Sequence, residues 1–173
     1  SNITGGKSLL EQVFEIISGD MMALSDKTIE YYNPVKNNGN HLGWVVDLPE
    51  SGERLIYQPM LSDYVAMFVS TIPSNSPCDA GGSSAVYKLN ACSGGRTSYP
   101  VFDSDEDGDI DEDDVISGPG DPVPPTRKKY PKRLLPPTTI GDITIFPDSD
   151  GGLNPVPTLQ PQSGMFFWRV IDR

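Results

Sequence analysis

The sequence predicts an all-β fold made of short antiparallel strands. Its 17 glycines and 17 prolines make up about a fifth of the 173 residues, a composition typical of many turns rather than long helices. Hydrophobic residues account for only 36% of the chain, and several of their short runs alternate with polar residues as in half-buried strands. The length predicts a single domain over residues 1–173 with a core of its own.

Charge and hydropathy argue against nucleic-acid binding and against a transmembrane segment. The chain carries 24 acidic against 13 basic residues, a formal net charge of −11. Such an acidic protein is not expected to bind nucleic acid, because binding requires neutralisation of phosphates by Lys and Arg. No run of eighteen apolar residues is present, so no transmembrane segment is predicted.

The first part of the chain, residues 1–42, fits two structures. Apolar residues at 9–17 can form a helical stripe. The same segment also fits a strand that ends at Ile17, a turn over 18–20 and a returning strand from Met21. We therefore predict either a hairpin or a helix here, followed by a β-rich piece at 28–32 and an asparagine-rich loop.

The next part, residues 43–100, predicts a four-strand antiparallel meander. The strands are expected at 43–48, 54–57, 64–72 and 84–90, and turn residues separate them. In the third strand, Val65, Met67 and Val69 share one face while Ala66, Phe68 and Ser70 share the other. Four short strands have the size of one β-propeller blade. Because the chain shows no second copy, we expect a partial or modified propeller-like architecture.

A cluster of acidic residues over 101–115 predicts a calcium loop, similar to that of an EF-hand, inserted in this β structure. Nine carboxylates lie within residues 103–114. Asp103, Asp105 and Asp107 occupy loop positions 1, 3 and 5, and Gly108 follows at position 6, where the chain must turn sharply. Ile110 at position 8 is expected to point into the protein. A plain acidic run is usually a solvated tail, but this spacing favours bound Ca²⁺.

The residues alone do not decide which carboxylate is the closing ligand of the loop. Asp109, at position 7, is expected to contribute its backbone carbonyl. In an EF-hand or dockerin loop the closing ligand would be Asp114 at position 12, whereas in a compact nine-residue loop it would be Asp111.

The last part, residues 116–173, is predicted to be a Pro/Gly-rich connection with closing strands. The basic run at 127–133 is interpreted as a solvated linker that partly balances nearby acids, with contact to an anionic surface as the alternative. Strands are expected at 140–146 and at 165–170. Cys78 and Cys92 could pair in an exported protein, and the sequence leaves this disulfide undecided.

Neither catalysis nor a dockerin is favoured. His41 is the single histidine and lies in an Asn/Gly-rich loop, and no spacing typical of a catalytic triad or a zinc site is found. We therefore predict a protein that is not an enzyme. A dockerin needs two similar loops that are each followed by a helix, whereas this chain has one such loop, followed by Gly118, Pro119 and Gly120.

An ordered series of motifs resembles the C-terminal domain of the PilC/PilY type IV pilus tip adhesins. The series comprises Gly43-Trp44-Val45-Val46-Asp47-Leu48-Pro49, Gly52-Glu53-Arg54, Thr71-Ile72-Pro73, Pro77-Cys78, Gly81-Gly82-Ser83-Ser84, Tyr87-Lys88-Leu89-Asn90-Ala91, Gly94-Gly95, the acidic loop and the terminal Trp168-Arg169. Two positions depart from the family pattern: Val45 replaces a common aromatic residue, and Phe167 replaces a common serine.

The resemblance implies a modified β-propeller at the tip of a pilus, with a calcium loop between blade strands. Calcium in that family influences pilus extension against retraction, and so twitching motility and surface attachment. The implied partners are major or minor pilins and a host or abiotic surface receptor. The implied location is exported, at the fimbrium tip, cell surface, periplasm or outer membrane.

The family's ligand pattern, carried over residue by residue, gives Asp103, Asp105, Asp107, Asp109 through its carbonyl, and Asp111. The resemblance therefore favours Asp111 over Asp114 as the closing ligand. The alternative function is a calcium-stabilised extracellular structural or interaction module, similar to a dockerin, without a regulatory role.

Overall fold

The chain folds into β-strands, and none of the described residues is helical. The computed structural model describes residues 2–4, 7–74, 81–140 and 143–157. The strands are β1 Asn2–Thr4, β2 Lys7–Gln12, β3 Phe14–Ser18, β4 Met21–Leu24, β5 His41–Val46, β6 Arg54–Leu55, β7 Met60–Ser62, β8 Val65–Ile72, β9 Ser83–Asn90, β10 Arg127–Tyr130, β11 Thr138–Ile140, β12 Ile143–Pro147 and β13 Leu153–Pro157. The predicted all-β class is confirmed.

The largest sheet has seven antiparallel strands. Its order is β3-β4-β10-β9-β8-β6, and β7 also pairs with β8. Strands β8 and β9 pair along their full lengths, from Val65 opposite Asn90 to Ile72 opposite Ser83. Strand β8 is rich in β-branched and aromatic residues, which favour extended structure, and six of the eight residues of β9 are buried. This pair is the centre of the large sheet.

The chain also forms two smaller, three-stranded sheets among the described residues. The first has the order β1-β2-β5, and β2 runs parallel to β5, with Leu10 opposite Trp44. The second is the antiparallel sheet β11-β12-β13. The predicted four-strand meander is therefore corrected, because its first strand pairs with β2 instead of β6. Alternation of apolar residues identifies a strand but does not specify which strand it pairs with.

The N-terminal segment adopts the strand alternative. Strands β3 and β4 form a hairpin whose turn contains Gly19 at φ +61°. Glycine adopts this left-handed conformation at little cost. The helical alternative for this segment is wrong. The β-rich piece at 28–32 forms no strand and contributes one bridge, between Tyr31 and His41.

The basic run is not a linker along its whole length. Arg127–Tyr130 is strand β10 and lies between β4 and β9 in the large sheet. Arg127 is only 1% exposed, and acidic side chains near β6 pair with it. A strand whose charges are neutralised within the fold lacks the apolar pattern by which strands are recognised from sequence.

Three further sequence predictions have different outcomes. The strand expected at 140–146 is divided between β11 and β12, which pair with each other. The strand expected at 165–170 lies outside the described residues. Cys92 is exposed, but Cys78 lies outside the described residues, and the disulfide stays a prediction.

Both faces of β8 are packed, in the arrangement that its alternation predicts. On one face, Val65 and Val69 belong to the main core cluster together with Val86, Val101, Phe102, Leu134, Phe146 and Val156. On the other face, the ring of Phe68 stacks on that of Tyr87, with centroids 4.7 Å apart. A second cluster contains Ile16, Met21, Ala23 and Ile116. These two clusters position the acidic loop.

Candidate metal centre

The acidic loop lies in the long connection between β9 and β10, and its first end is fixed by the main core cluster. Val101 and Phe102, directly before Asp103, are almost fully buried in that cluster. The buried amine of Lys88 donates a 2.7 Å hydrogen bond to the Val101 carbonyl and lies 4.9 Å from the centre of the Phe102 ring. The position of Asp103 is therefore set by the central sheet.

The other end of the loop is fixed by the second cluster. Ile116, two residues after Asp114, is buried there, and its backbone N–H and carbonyl both bond Val123. Lys128 of β10 also pairs with Glu106 at 3.1 Å. A segment with both ends fixed loses less conformational entropy when its carboxylates converge on an ion.

Three carboxylates of the loop come together. Oxygen atoms of Asp103, Asp105 and Asp114 lie within 4.8 Å of one another. Asp103 is half-buried, Asp105 is exposed, and Asp114 is only 1% exposed. They occupy positions 1, 3 and 12 of the predicted loop, so the structure groups Asp114, not Asp111, with the first two ligands.

Backbone N–H groups hold two of these carboxylates in place. One oxygen of Asp114 accepts a hydrogen bond from the Ser104 N–H, and the other accepts one from the Asp111 N–H at 2.9 Å. Asp103 accepts one from the Gly108 N–H at 3.0 Å. Gly108 has φ +104°, a conformation that side-chain-bearing residues rarely adopt. The predicted sharp turn at position 6 is therefore present.

The triad fits a hard divalent cation. Oδ1 of Asp103 is buried and has no hydrogen-bond partner among the described residues, and an unsatisfied buried polar atom is costly. The N–H of Asp107 lowers the pKa of Asp105, but desolvation and the carboxylates of Asp107, Asp114 and Asp103 raise it, and the net direction is upward. A cation would satisfy the oxygen and offset the repulsion, and all-oxygen donors suit Ca²⁺.

The remaining predicted ligands lie outside this triad. One oxygen of Asp107 accepts a 2.9 Å hydrogen bond from the Asp109 N–H, and one oxygen of Asp111 accepts a bond of the same length from the Asp113 N–H. Ile110 is half-buried. The five-residue set of Asp103, Asp105, Asp107, Asp109 and Asp111 stays a prediction.

Sequence reasoning missed a buried ionic network on the opposite face of the central sheet. The Arg127 guanidinium lies 3.6 Å from Glu53, whose side chain is 0% exposed, and 3.5 Å from Glu50. The Tyr87 hydroxyl donates to Glu53 at 2.5 Å and accepts from Arg127 at 3.0 Å. Desolvation followed by the Glu53 hydrogen bond raises the pKa of Tyr87 far above its usual value. The one available signal is the presence of a basic run together with acids at 50 and 53.

No second metal-binding group of acids, histidines or cysteines occurs in the part of the chain that the structure describes. The Nδ1 atom of His41 accepts a hydrogen bond from the Glu30 N–H at 3.0 Å. This contact supports the loop that precedes β5.

Comparisons with known proteins point to one group of relatives. No protein-family model matches the chain. The type IV pilus biogenesis factor PilY1 of Pseudomonas aeruginosa strain UCBPP-PA14 is 27% identical over 114 residues, which cover 61% of this chain and 10% of the relative. PilY1 of Pseudomonas aeruginosa strain PAK is 30% identical over 115 residues, which cover 60% of this chain and 10% of that relative. The chain thus spans about a tenth of the length of these curated relatives.

A solved structure supplies the matching fold. The crystal structure of the Pseudomonas aeruginosa PilY1 C-terminal domain superimposes with a TM-score of 0.64 at 20% identity, over 86% of this chain and 31% of that one. The resemblance to the PilC/PilY C-terminal domain is confirmed. The PilY1-type fold is β-propeller-like, in agreement with the predicted architecture. The described residues contain no helix that is long and apolar enough to cross a membrane.

Proposed function

We propose that this chain is a calcium-binding domain of a type IV pilus tip-associated adhesin or biogenesis factor, without enzymatic activity. The similarity to PilY1 supports the association with a pilus. On this proposal the domain is exported, contacts major or minor pilins, and supports attachment to a host or abiotic surface.

One observation carries the calcium part of the proposal. The buried Asp103 Oδ1 has no protein hydrogen-bond partner among the described residues, and it belongs to a group that includes carboxylates of Asp105 and Asp114. Backbone N–H groups already satisfy both oxygens of Asp114 and the other oxygen of Asp103. A bound cation completes this pattern better than further hydrogen bonds within the loop.

In the proposed mechanism, calcium supplies the positive charge, and the loop fixes where it acts. Asp103, Asp105 and Asp114 would hold the ion, while Asp107, Asp109 and Asp111 remain the predicted additional ligands. The held loop then links Phe102 in the main core cluster to Ile116 in the second cluster. Calcium control of pilus extension and retraction requires that two conformations of this region differ in affinity for the ion.

Isothermal titration calorimetry with Ca²⁺ tests the proposal. We expect one site in the unmodified chain and at least about tenfold weaker binding in Asp105→Asn. Glu112→Gln is the matched control, since it removes one charge from an exposed carboxylate of the same loop that is not a candidate ligand. Absence of heat with the unmodified chain, or equal weakening by both substitutions, would contradict a specific site.

A second function, calcium-dependent stabilisation without switching, is supported by the hydrogen bonds that already preset Asp103 and Asp114. Hydrogen exchange of all backbone amides, inside and outside the loop 101–115, with and without Ca²⁺ distinguishes the two functions. Changed protection beyond the loop, together with a micromolar Kd, supports regulation. Protection confined to the loop and a millimolar Kd support a permanently filled structural site.

A further inference from the structure

The turn between β7 and β8 has an unfavourable sequence for its conformation. Ser62 pairs with Val65, so the turn consists of Asp63 and Tyr64. Both have positive φ, +45° and +63°. Two-residue hairpins of this kind favour Asn-Gly or Asp-Gly, because glycine adopts positive φ without strain. A tyrosine at the second position is strained, and such strain is often retained where a side chain has a role.

Packing does not account for this tyrosine. The Tyr64 residue is 77% exposed, so its ring contributes little to the core. Its backbone carbonyl accepts a 2.8 Å hydrogen bond from the Ala91 N–H, and glycine could make the same bond. Burial of the side chain therefore does little to offset the strain of the turn.

A cleft of about 270 Å³ lies beside this ring. Tyr64 and Tyr99 line it together with Asp63, Asn90, Cys92, Thr97 and Ser98. Tyr99 is 43% exposed, so the lining combines two tyrosines and a cysteine with mostly neutral polar residues. Small-ligand sites combine apolar surface with a few placed polar groups in this way.

The walls of the cleft are held by local hydrogen bonds. The buried Thr97 hydroxyl donates to the Tyr99 carbonyl at 2.6 Å, which fixes the turn that carries Tyr99. The Asn90 side-chain oxygen accepts from the N–H groups of Cys92 and Ser93 at 2.9 and 3.1 Å, which fixes the orientation of the amide. A largely preformed site loses little free energy to ordering when it binds a ligand.

We propose that this cleft binds one neutral hexopyranose unit of a glycan. The C–H face of a sugar ring suits tyrosine rings. Its hydroxyls can donate to Asp63, accept from the Asn90 side-chain NH2 group and exchange hydrogen bonds with the exposed Ser98. The net charge of −11 disfavours acidic sugars. A single carboxylate among neutral amide, hydroxyl and thiol groups favours a polyol over a hard cation. This inference does not depend on the calcium loop.

Saturation-transfer NMR of the full chain with methyl glycosides of glucose, galactose and mannose tests the proposal, with and without Ca²⁺. We expect at least one glycoside to bind the unmodified chain. Tyr64→Gly should weaken that binding by about tenfold or more while the melting temperature stays equal or rises, because glycine relieves the strain. If Tyr64 had a purely structural role, its substitution would not weaken sugar binding while the melting temperature stayed equal or rose.

Asn37→Gly is the matched control. Asn37 also has positive φ, at +48°, and lies in a turn that does not line the cleft. Its side-chain oxygen accepts a 3.3 Å hydrogen bond from the Tyr32 hydroxyl, so glycine removes one surface contact while it relieves the positive φ. The variant should keep full sugar binding. The proposal is overturned if no glycoside binds, or if Tyr64→Gly lowers the melting temperature and leaves binding unchanged. Methylguanidinium serves as a cationic probe of the same cleft, and its binding in the absence of sugar binding would also overturn the proposal.

Discussion

Lys88 places an amine inside the main core, directly beneath the start of the acidic loop. Burial lowers its pKa to about 7, although the Val101 carbonyl and the Phe102 ring both favour the charged ammonium. An unfolded lysine keeps a pKa near its ordinary value of about 10.4. Between these values the unfolded chain binds more protons at this residue than the folded chain does.

The sign of the resulting pH dependence follows from linkage. Where the unfolded state holds more protons, the free energy of unfolding rises with pH, here by up to about 1.4 kcal/mol per pH unit between about pH 7 and 10. Urea denaturation of the unmodified chain and of Lys88→Met over this range measures the contribution. We expect the difference between the two free energies to change with pH in this window. A constant difference would contradict the lowered pKa.

Arg127 shows what single-residue patterns cannot predict. In the sequence it opens a basic run, and isolated basic runs are usually solvated. In the fold it is buried because Glu53, Glu50 and Tyr87 surround it. Its burial depends on partners at distant positions, which no local pattern contains. The acidic loop is the opposite case, since the spacing of Asp103, Asp105 and Gly108 within a few residues is enough to predict a cation site.

At the scale of elements, Trp44 is one of the side chains that join the sheet β1-β2-β5 to the central sheet, and Gln12 of β2 is another, through its 3.0 Å hydrogen bond to the Ser93 carbonyl. The indole N–H of Trp44 in β5 donates a 2.9 Å hydrogen bond to the carbonyl of Ala91, directly after β9. Gly94 in the same turn has φ +72°, and a Cβ atom there would collide with the Trp44 ring. This explains why a glycine follows β9 at this position.

Gly94→Ala should therefore be strongly destabilising. We expect a loss of roughly 2–4 kcal/mol, from strained backbone conformation and from displacement of Trp44. Gly151→Ala is the control: Gly151 has φ +86°, but a Cβ atom there would meet nothing within 4 Å, and its cost should be about 1 kcal/mol. Chemical denaturation measures both. Equal losses would show that the Trp44 contact does not matter.

The existence of a strand is easier to predict than its pairing. The strands predicted at 64–72 and 84–90 lie within a residue of β8 and β9, because each is a short, mostly apolar run bounded by turn residues. The pairing of β5 with β2, and of β10 with β4 and β9, joins residues far apart in sequence. Such pairings depend on packing of the complete fold, so they cannot be predicted from a sequence window of about ten residues.

For the whole molecule, calcium should raise the melting temperature through mass action. A ligand that binds only the folded state adds RT ln(1 + [L]/Kd) to the free energy of unfolding, about 2.7 kcal/mol at one hundred times Kd. Thermal melts in Ca²⁺ and in chelator measure this shift. Asp105→Asn should lose most of it, and Glu112→Gln should keep it. A shift that persists unchanged in Asp105→Asn would place the ion elsewhere.

The identity of the carboxylate that closes the metal site could not be predicted from the sequence. The family resemblance favours Asp111, while the structure gathers Asp114 with Asp103 and Asp105. Both residues fit the spacing of a calcium loop. The choice depends on where residues 115–116 are anchored, and the burial of Ile116 against Ile16 and Met21 is a long-range property.

The location of the acidic loop between β9 and β10 has a consequence for folding speed. These two strands are hydrogen-bonded neighbours, so their pairing must wait until residues 91–126 close into a loop. Closure entropy grows with the logarithm of loop length, and an ion that joins Asp103 to Asp114 shortens the effective loop by about a third. The saving is only a few tenths of a kcal/mol, enough to make refolding in Ca²⁺ faster by a factor of about two if the ion binds before the strands pair.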